Sequence, residues 1–79
     1  MGITDNFYDY EVEEQIATLN SRGKYTLELN IVSFNSRPAN YDIRRWGINA
    51  AGEKYPARGI NLTLAELQAL KAQLNKMDI

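Results

Sequence analysis

Cysteine and histidine are both absent from this 79-residue chain. Their absence excludes disulfides and removes the side chains that most structural zinc sites require. It also removes the usual nucleophile and the usual general base near neutral pH. Glycine is sparse, and Gly23, Gly47, Gly52 and Gly59 stand alone, so no glycine-rich phosphate loop exists. Glu13 and Glu14 are adjacent, and on a strand they point to opposite faces, which rules them out as a catalytic pair. No apolar run approaches the roughly 20 residues of a membrane span. The start, Met1-Gly2-Ile3-Thr4-Asp5, lacks the basic and apolar regions of a signal peptide. These absences lead to the expectation of a cytoplasmic binding protein that is not an enzyme and carries no cofactor or metal.

The net charge of -1 conceals an asymmetry. Asp5, Asp9, Glu11, Glu13 and Glu14 precede any basic residue, whereas residues 22–58 hold seven basic and three acidic side chains, a local +4. Such a segment makes a positive surface within an acidic protein; an ordinary mixed surface accounts for the same count. One domain spanning residues 1–79 is expected, because no repeat, linker or low-complexity tract divides the chain. A core this small often needs a partner subunit when disulfides and metals are excluded.

Hydrophobic periodicity predicts four strands and a helix. Tyr10 to Leu19 reads as a strand of imperfect alternation, with a bulge or helical turn as the alternatives. Asn20-Ser21-Arg22-Gly23 is a turn signal. Tyr25 to Phe34 alternates cleanly: Tyr25, Leu27, Leu29 and Ile31 share what reads as the core face. Asn35-Ser36-Arg37-Pro38 forces the next turn. Asn40 to Trp46 makes the third strand, with Tyr41 and Ile43 inward and Asp42, Arg44 and Trp46 outward. Arg45 shares the inward parity, and a place at the sheet margin beside an acid of the first strand is expected for it. Gly47 to Gly52 reads as a loop, and a short strand at Gly59 to Leu62 follows Tyr55-Pro56. Thr63-Leu64-Ala65-Glu66 has the form of a capping box, with Leu62 and Leu67 placed as a hydrophobic staple. The apolar stripe Leu67, Leu70, Leu74 and Met77 follows, suited to a monomer core or to a second copy.

Phe34 and Trp46 fall on the face opposite the expected core, on consecutive strands, with Arg44 two residues before Trp46 and Arg37 in the turn. Adjacent antiparallel strands hold such side chains within about 5–8 Å, giving a stacking platform with cationic edges. Stacking one base on an aromatic contributes about 1–3 kcal/mol and tolerates any base. Arg22, Lys24, Arg37 and Arg44 would each neutralise a phosphate, making affinity fall with salt. Arg58, just before Gly59, reads as a further phosphate contact or, more readily, as a solvated loop charge. The aromatics serve equally well under a loop or against a protein partner.

Leu27-Glu28-Leu29-Asn30-Ile31-Val32-Ser33-Phe34, Tyr41-Asp42-Ile43-Arg44-Arg45-Trp46, and Lys54 to Leu64 with the helix after it together carry a resemblance. In these segments, about two-thirds of the chain, it resembles the single-stranded-DNA-binding transcriptional coactivator family, positive cofactor 4, and especially its small bacterial YdbC-like branch. The resemblance implies an α+β fold: a curved four-stranded antiparallel sheet followed by one helix, dimerising through that helix. It places Phe34 on the family's strand-two aromatic, Arg44 on the arginine of the Asp-Ile-Arg strand, Trp46 on the aromatic behind it, and Arg37 on a basic turn residue. Asn35-Ser36 stand where eukaryotic members have lysines, which implies weaker phosphate contact at the turn. The 79 residues hold no serine-rich stretch like the regulatory tail of those members, and the acidic first strand resembles them least.

The expected function is therefore sequence-nonspecific binding of single-stranded DNA, in a transcription-related or DNA-maintenance role at the nucleoid. The site residues are Arg22, Lys24, Phe34, Arg37, Arg44 and Trp46, and the homodimer interface is formed by Leu67, Leu70, Leu74 and Met77. Single-stranded RNA binding is a variant, and a protein-interaction module using the same aromatics is the alternative.

Overall fold

A computed structural model describes residues 9–79. The expectation concerning Met1 to Asp5 lies outside the described residues. Four strands, β1 (Tyr10–Arg22), β2 (Tyr25–Phe34), β3 (Asn40–Ile48) and β4 (Lys54–Leu62), precede one helix, α1 (Leu64–Lys76). The strands form one antiparallel sheet in the order β1-β2-β3-β4. This is the expected β-β-β-β-α architecture.

Short-range chemistry explains the connections. Gly23 takes a positive φ of 59° between β1 and β2. Between β2 and β3, Asn35 and Ser36 have φ of 53° and 63°, as a type I′ turn requires, and Arg37 N–H closes the turn on the Phe34 carbonyl at 3.0 Å. The Asn49 carboxamide accepts from the N–H groups of Ala51 and Glu53 and orders the β3–β4 loop. At α1 the capping box is complete: Glu66 N–H donates to Thr63 Oγ1 at 3.1 Å, and Thr63 N–H donates to Glu66 Oε1 at 2.8 Å. Met77 lies one residue beyond α1, as its C-cap, and its N–H donates to the Leu74 carbonyl.

Strand boundaries depart from expectation where bulges intervene. β1 runs to Arg22, and Glu13, Ile16 and Leu19 are extra residues against β2. The regular parity expected for Val12, Glu14, Ile16 and Thr18 is therefore broken; Tyr10, Val12, Gln15 and Thr18 pair with Phe34, Val32, Asn30 and Glu28 on one face. β4 starts at Lys54 rather than Gly59 and includes Pro56, tolerated because β4 is an edge strand. β3 continues through Ile48, so the expected loop is shorter at its start.

Repeated bulges bend a strand and increase its twist, and the sheet curls until the Tyr10 side chain of β1 reaches β4. The Tyr10 hydroxyl donates to the Lys54 carbonyl at 3.2 Å. The face enclosed by this curl is the buried one, which reverses the inward and outward assignment read from β2 and β3. Val32, Phe34 and Trp46 form the buried hydrophobic cluster, with Val12 packed against it. Asp42 and Arg44, expected to point outward, are buried beside them. The opposite face, with Leu27, Leu29, Ile31, Tyr41 and Ile43, is only half-buried, and Tyr25 and Ile60 are exposed. The helix touches the sheet only at β3 and β4 and has no buried residue, so it does not cover that apolar face.

Candidate functional site

The concave face is built from alternate residues of three strands: Glu28, Asn30, Val32 and Phe34 on β2, Asp42, Arg44 and Trp46 on β3, and Lys54, Pro56, Gly59 and Asn61 on β4. Phe34 and Trp46 are not cross-strand neighbours. Trp46 pairs with Thr26, at the end of β2 away from Phe34, so the expected two-residue platform does not form. Tyr10 joins them instead. Its ring lies 6.4 Å from Phe34 and 5.4 Å from Trp46, tilted to both. A cation sits over each outer ring: the Arg44 guanidinium 4.8 Å from the Phe34 centroid and the Lys54 ammonium 5.3 Å from the Trp46 centroid. These are distances at which the ring quadrupole attracts a positive charge.

Both cations are held by carboxylates. Arg44 donates through Nε and Nη2 to Asp42 at 3.0 and 2.9 Å, and through Nη1 to the Ala57 carbonyl at 2.8 Å. That carbonyl belongs to a bulge, where Ala57 and Arg58 lie between the partners of Arg44 and Trp46. Gly59 lets β4 approach: a Cβ there would lie 2.5 Å from Arg44 Cβ and from the Ile43 carbonyl. Lys54 Nζ reaches Glu28 at 2.7 Å. Burial raises the Glu28 pKa, but Lys54 and the hydrogen bonds from Thr26 and Asn30 outweigh it and hold the carboxyl below its ordinary value. Asn61 Nδ2 completes the Asp42 shell at 2.6 Å.

Trp46 is only 2% exposed, and its indole N–H has no hydrogen-bond partner among the described residues. Trp46 is therefore a core residue in this chain rather than an open stacking surface. Phe34 at 8% and Arg44 at 4% are also largely enclosed, while Tyr10 keeps 37% exposure. Three of the expected residues, Phe34, Arg37 and Arg44, line one cavity of about 330 Å³ with Pro38, Asn40 and Asn61. Arg22 and Lys24 are exposed at the β1–β2 turn, separated from Phe34 by the length of β2, about 30 Å of extended chain. The structure does not bring them to this cavity. Arg45 is exposed and forms no ion pair among the described residues, so its expected partner on β1 is not engaged. Arg58 is exposed as expected, but on β4 rather than in a loop.

Tyr10, Lys54 and Asn61 were missed as site residues. Parity along β4 places Lys54 and Pro56 on one face and could have found Lys54; the bulge at Ala57 and Arg58 then shifts that parity before Asn61. Nothing local marks Tyr10, because its contacts arise from the curl. Leu67 is half-buried, whereas Leu70, Leu74 and Met77 are exposed. Among the described residues no group of three or more acidic side chains could hold a metal ion, and no helix is long and apolar enough to cross a membrane.

No family model matches the chain. An uncharacterized protein of Treponema pallidum (strain Nichols) is 37% identical over 79 residues, covering 99% of this chain and 89% of the relative. At that identity over nearly the whole of both chains, this chain belongs to the same protein family as the Treponema pallidum protein.

Proposed function

We propose that the chain is a single-stranded-DNA-binding domain of the positive cofactor 4 type that works as a homodimer. The observation that carries this reading is the row Phe34–Tyr10–Trp46 on the concave face, with Arg44 and Lys54 over its two ends. Aromatic rings beside cations in a curved groove suit bases and phosphates of an unpaired strand. Because Arg44 and Lys54 are already neutralised by Asp42 and Glu28, Arg37 at the mouth of the cavity is the foremost phosphate contact, helped by the more distant Arg22 and Lys24. Trp46 supports the groove from beneath, and Tyr10 and the rim of Phe34 meet the ligand.

The dimer rests on the half-buried face of β2 and β3 together with Leu64, Leu70, Leu74 and Met77, which are exposed in the single chain. So much apolar surface on so small a domain is typical of an interaction surface. It is also what favours the second reading, a protein-interaction module, which would use this apolar face rather than the enclosed aromatics.

Titration of a labelled oligo-dT, against duplex and oligo-rU controls, at two salt concentrations tests the proposal. Single-strand binding that weakens with salt is expected. Preference for the ribose strand would move the assignment to RNA through the 2′-hydroxyl. Absence of binding at low salt would leave the protein-interaction reading.

A further inference from the structure

The cavity between the β2–β3 turn and β4 has a chemistry that general strand binding does not require. Its volume of about 330 Å³ lies at the small end of ligand pockets. Phe34 and Pro38 contribute apolar walls, Asn40 and Asn61 contribute carboxamides, and Arg37 and Arg44 contribute guanidinium groups.

The orientation of the Asn61 amide follows from its neighbour. An ionised carboxylate only accepts hydrogen bonds, so the group 2.6 Å from Asp42 must be the Asn61 NH₂, and the Asn61 carbonyl is left as an acceptor. Asn40 makes no side-chain hydrogen bond to any other described residue, which leaves both a donor and an acceptor at the cavity. The turn carrying Arg37 is anchored by Ser33 Oγ, which donates to the Arg37 carbonyl at 2.5 Å. The backbone at Arg37 is thus fixed, while its guanidinium forms no ion pair among the described residues.

We propose that this cavity receives one unpaired nucleobase, held against the rim of Phe34 and Pro38, its polar edge read by Asn40 and Asn61, with Arg37 on the adjoining phosphate. The inference rests on the nucleic-acid reading above and extends it: binding depends on base identity at one position of the bound strand. Carboxamides discriminate because each unpaired base presents a different order of donors and acceptors on its Watson–Crick edge, and a mismatched edge leaves the amide unpaired. A duplex is excluded because pairing hides that edge.

The test compares equal-length oligo-dT, oligo-dC, oligo-dA and a fully abasic strand by fluorescence anisotropy, for the wild type, Asn40→Leu and Arg37→Ala. The wild type is expected to prefer one base by about 3- to 10-fold, the net worth of one or two hydrogen bonds, with the abasic strand weakest. Asn40→Leu should bring the base ratios towards one at an unchanged salt slope. Arg37→Ala should lower the salt slope by about one phosphate and keep the ratios. Equal affinity for the three bases, or ratios that survive Asn40→Leu, would overturn the base pocket while leaving strand binding in place. Failure of every oligonucleotide to bind at low salt would overturn strand binding and the pocket together. If Asn40→Leu does not fold, as judged by circular dichroism, Asn40→Ala supplies the same comparison.

Discussion

Arg44 and Asp42, two residues apart on the concave face of β3, hold each other in a side-on ion pair, with side chains 5% and 0% exposed. Their mutual satisfaction lets two opposite charges sit beside Phe34 and Trp46 in the enclosed part of the sheet. An unpaired charge there would lose its hydration without return.

Removing one partner should therefore cost far more than removing both. Asp42→Ala is expected to destabilise the fold by about 3–5 kcal/mol because it strands the Arg44 guanidinium. Adding Arg44→Met to Asp42→Ala should recover part of that loss in urea denaturation. Strict additivity of the two single changes would show that the pair is not coupled.

Trp46 tests whether the aromatic row is core or contact. Trp46→Ala should cost about 3–5 kcal/mol, as for other large aromatics removed from a core. Trp46→Phe should be much milder, because it also removes a buried N–H that has no partner among the described residues, a lack that costs about 1–3 kcal/mol. A thermal transition unmoved by Trp46→Ala would refute the core assignment.

Gly59 is required for space rather than for its backbone angle. Gly59→Ala places a methyl 2.5 Å from the Ile43 carbonyl, a backbone atom that cannot swing aside. The expected loss is about 1–3 kcal/mol, the usual range for overpacking. A urea midpoint indistinguishable from wild type would show that β4 shifts freely.

Acid should act through Glu28. Its carboxyl is held below the ordinary value of 4.5, so between those two values the unfolded chain binds more protons than the native one. The stability it contributes is complete above about pH 4.5 and is lost as pH falls through the native value. Lys54→Met leaves burial opposed only by Thr26 and Asn30, so the native value moves back up and the acid-dependent loss should shrink. Urea midpoints followed against pH for both proteins decide this, and superimposable profiles would remove Lys54 from the account.

Leu70→Glu probes the proposed dimer. Leu70 is exposed in the single chain, so a glutamate there should spare the monomer fold and halve the sedimentation mass. An unchanged mass would place the interface elsewhere, and a wild type that sediments as a monomer would remove the dimer from the proposal.

Much was legible along the chain because it depends on near neighbours. The capping box at Thr63 and Glu66, the turn at Asn35-Ser36 and the period-two alternation of β2 all come from interactions within a few residues. They suffice for the strand-and-helix order and for which residues of β2 and β3 share a face. Period two is blind to which of two faces closes. That depended on the bulges of β1, visible beforehand only as imperfect alternation, and on the curl that carries Tyr10 from β1 to Trp46 and Lys54. Phe34, Arg44 and Trp46 were accordingly grouped on one face but placed on the wrong side of the water boundary. Burial is a property of the closed surface, summed over distant contacts, and no local pattern encodes it.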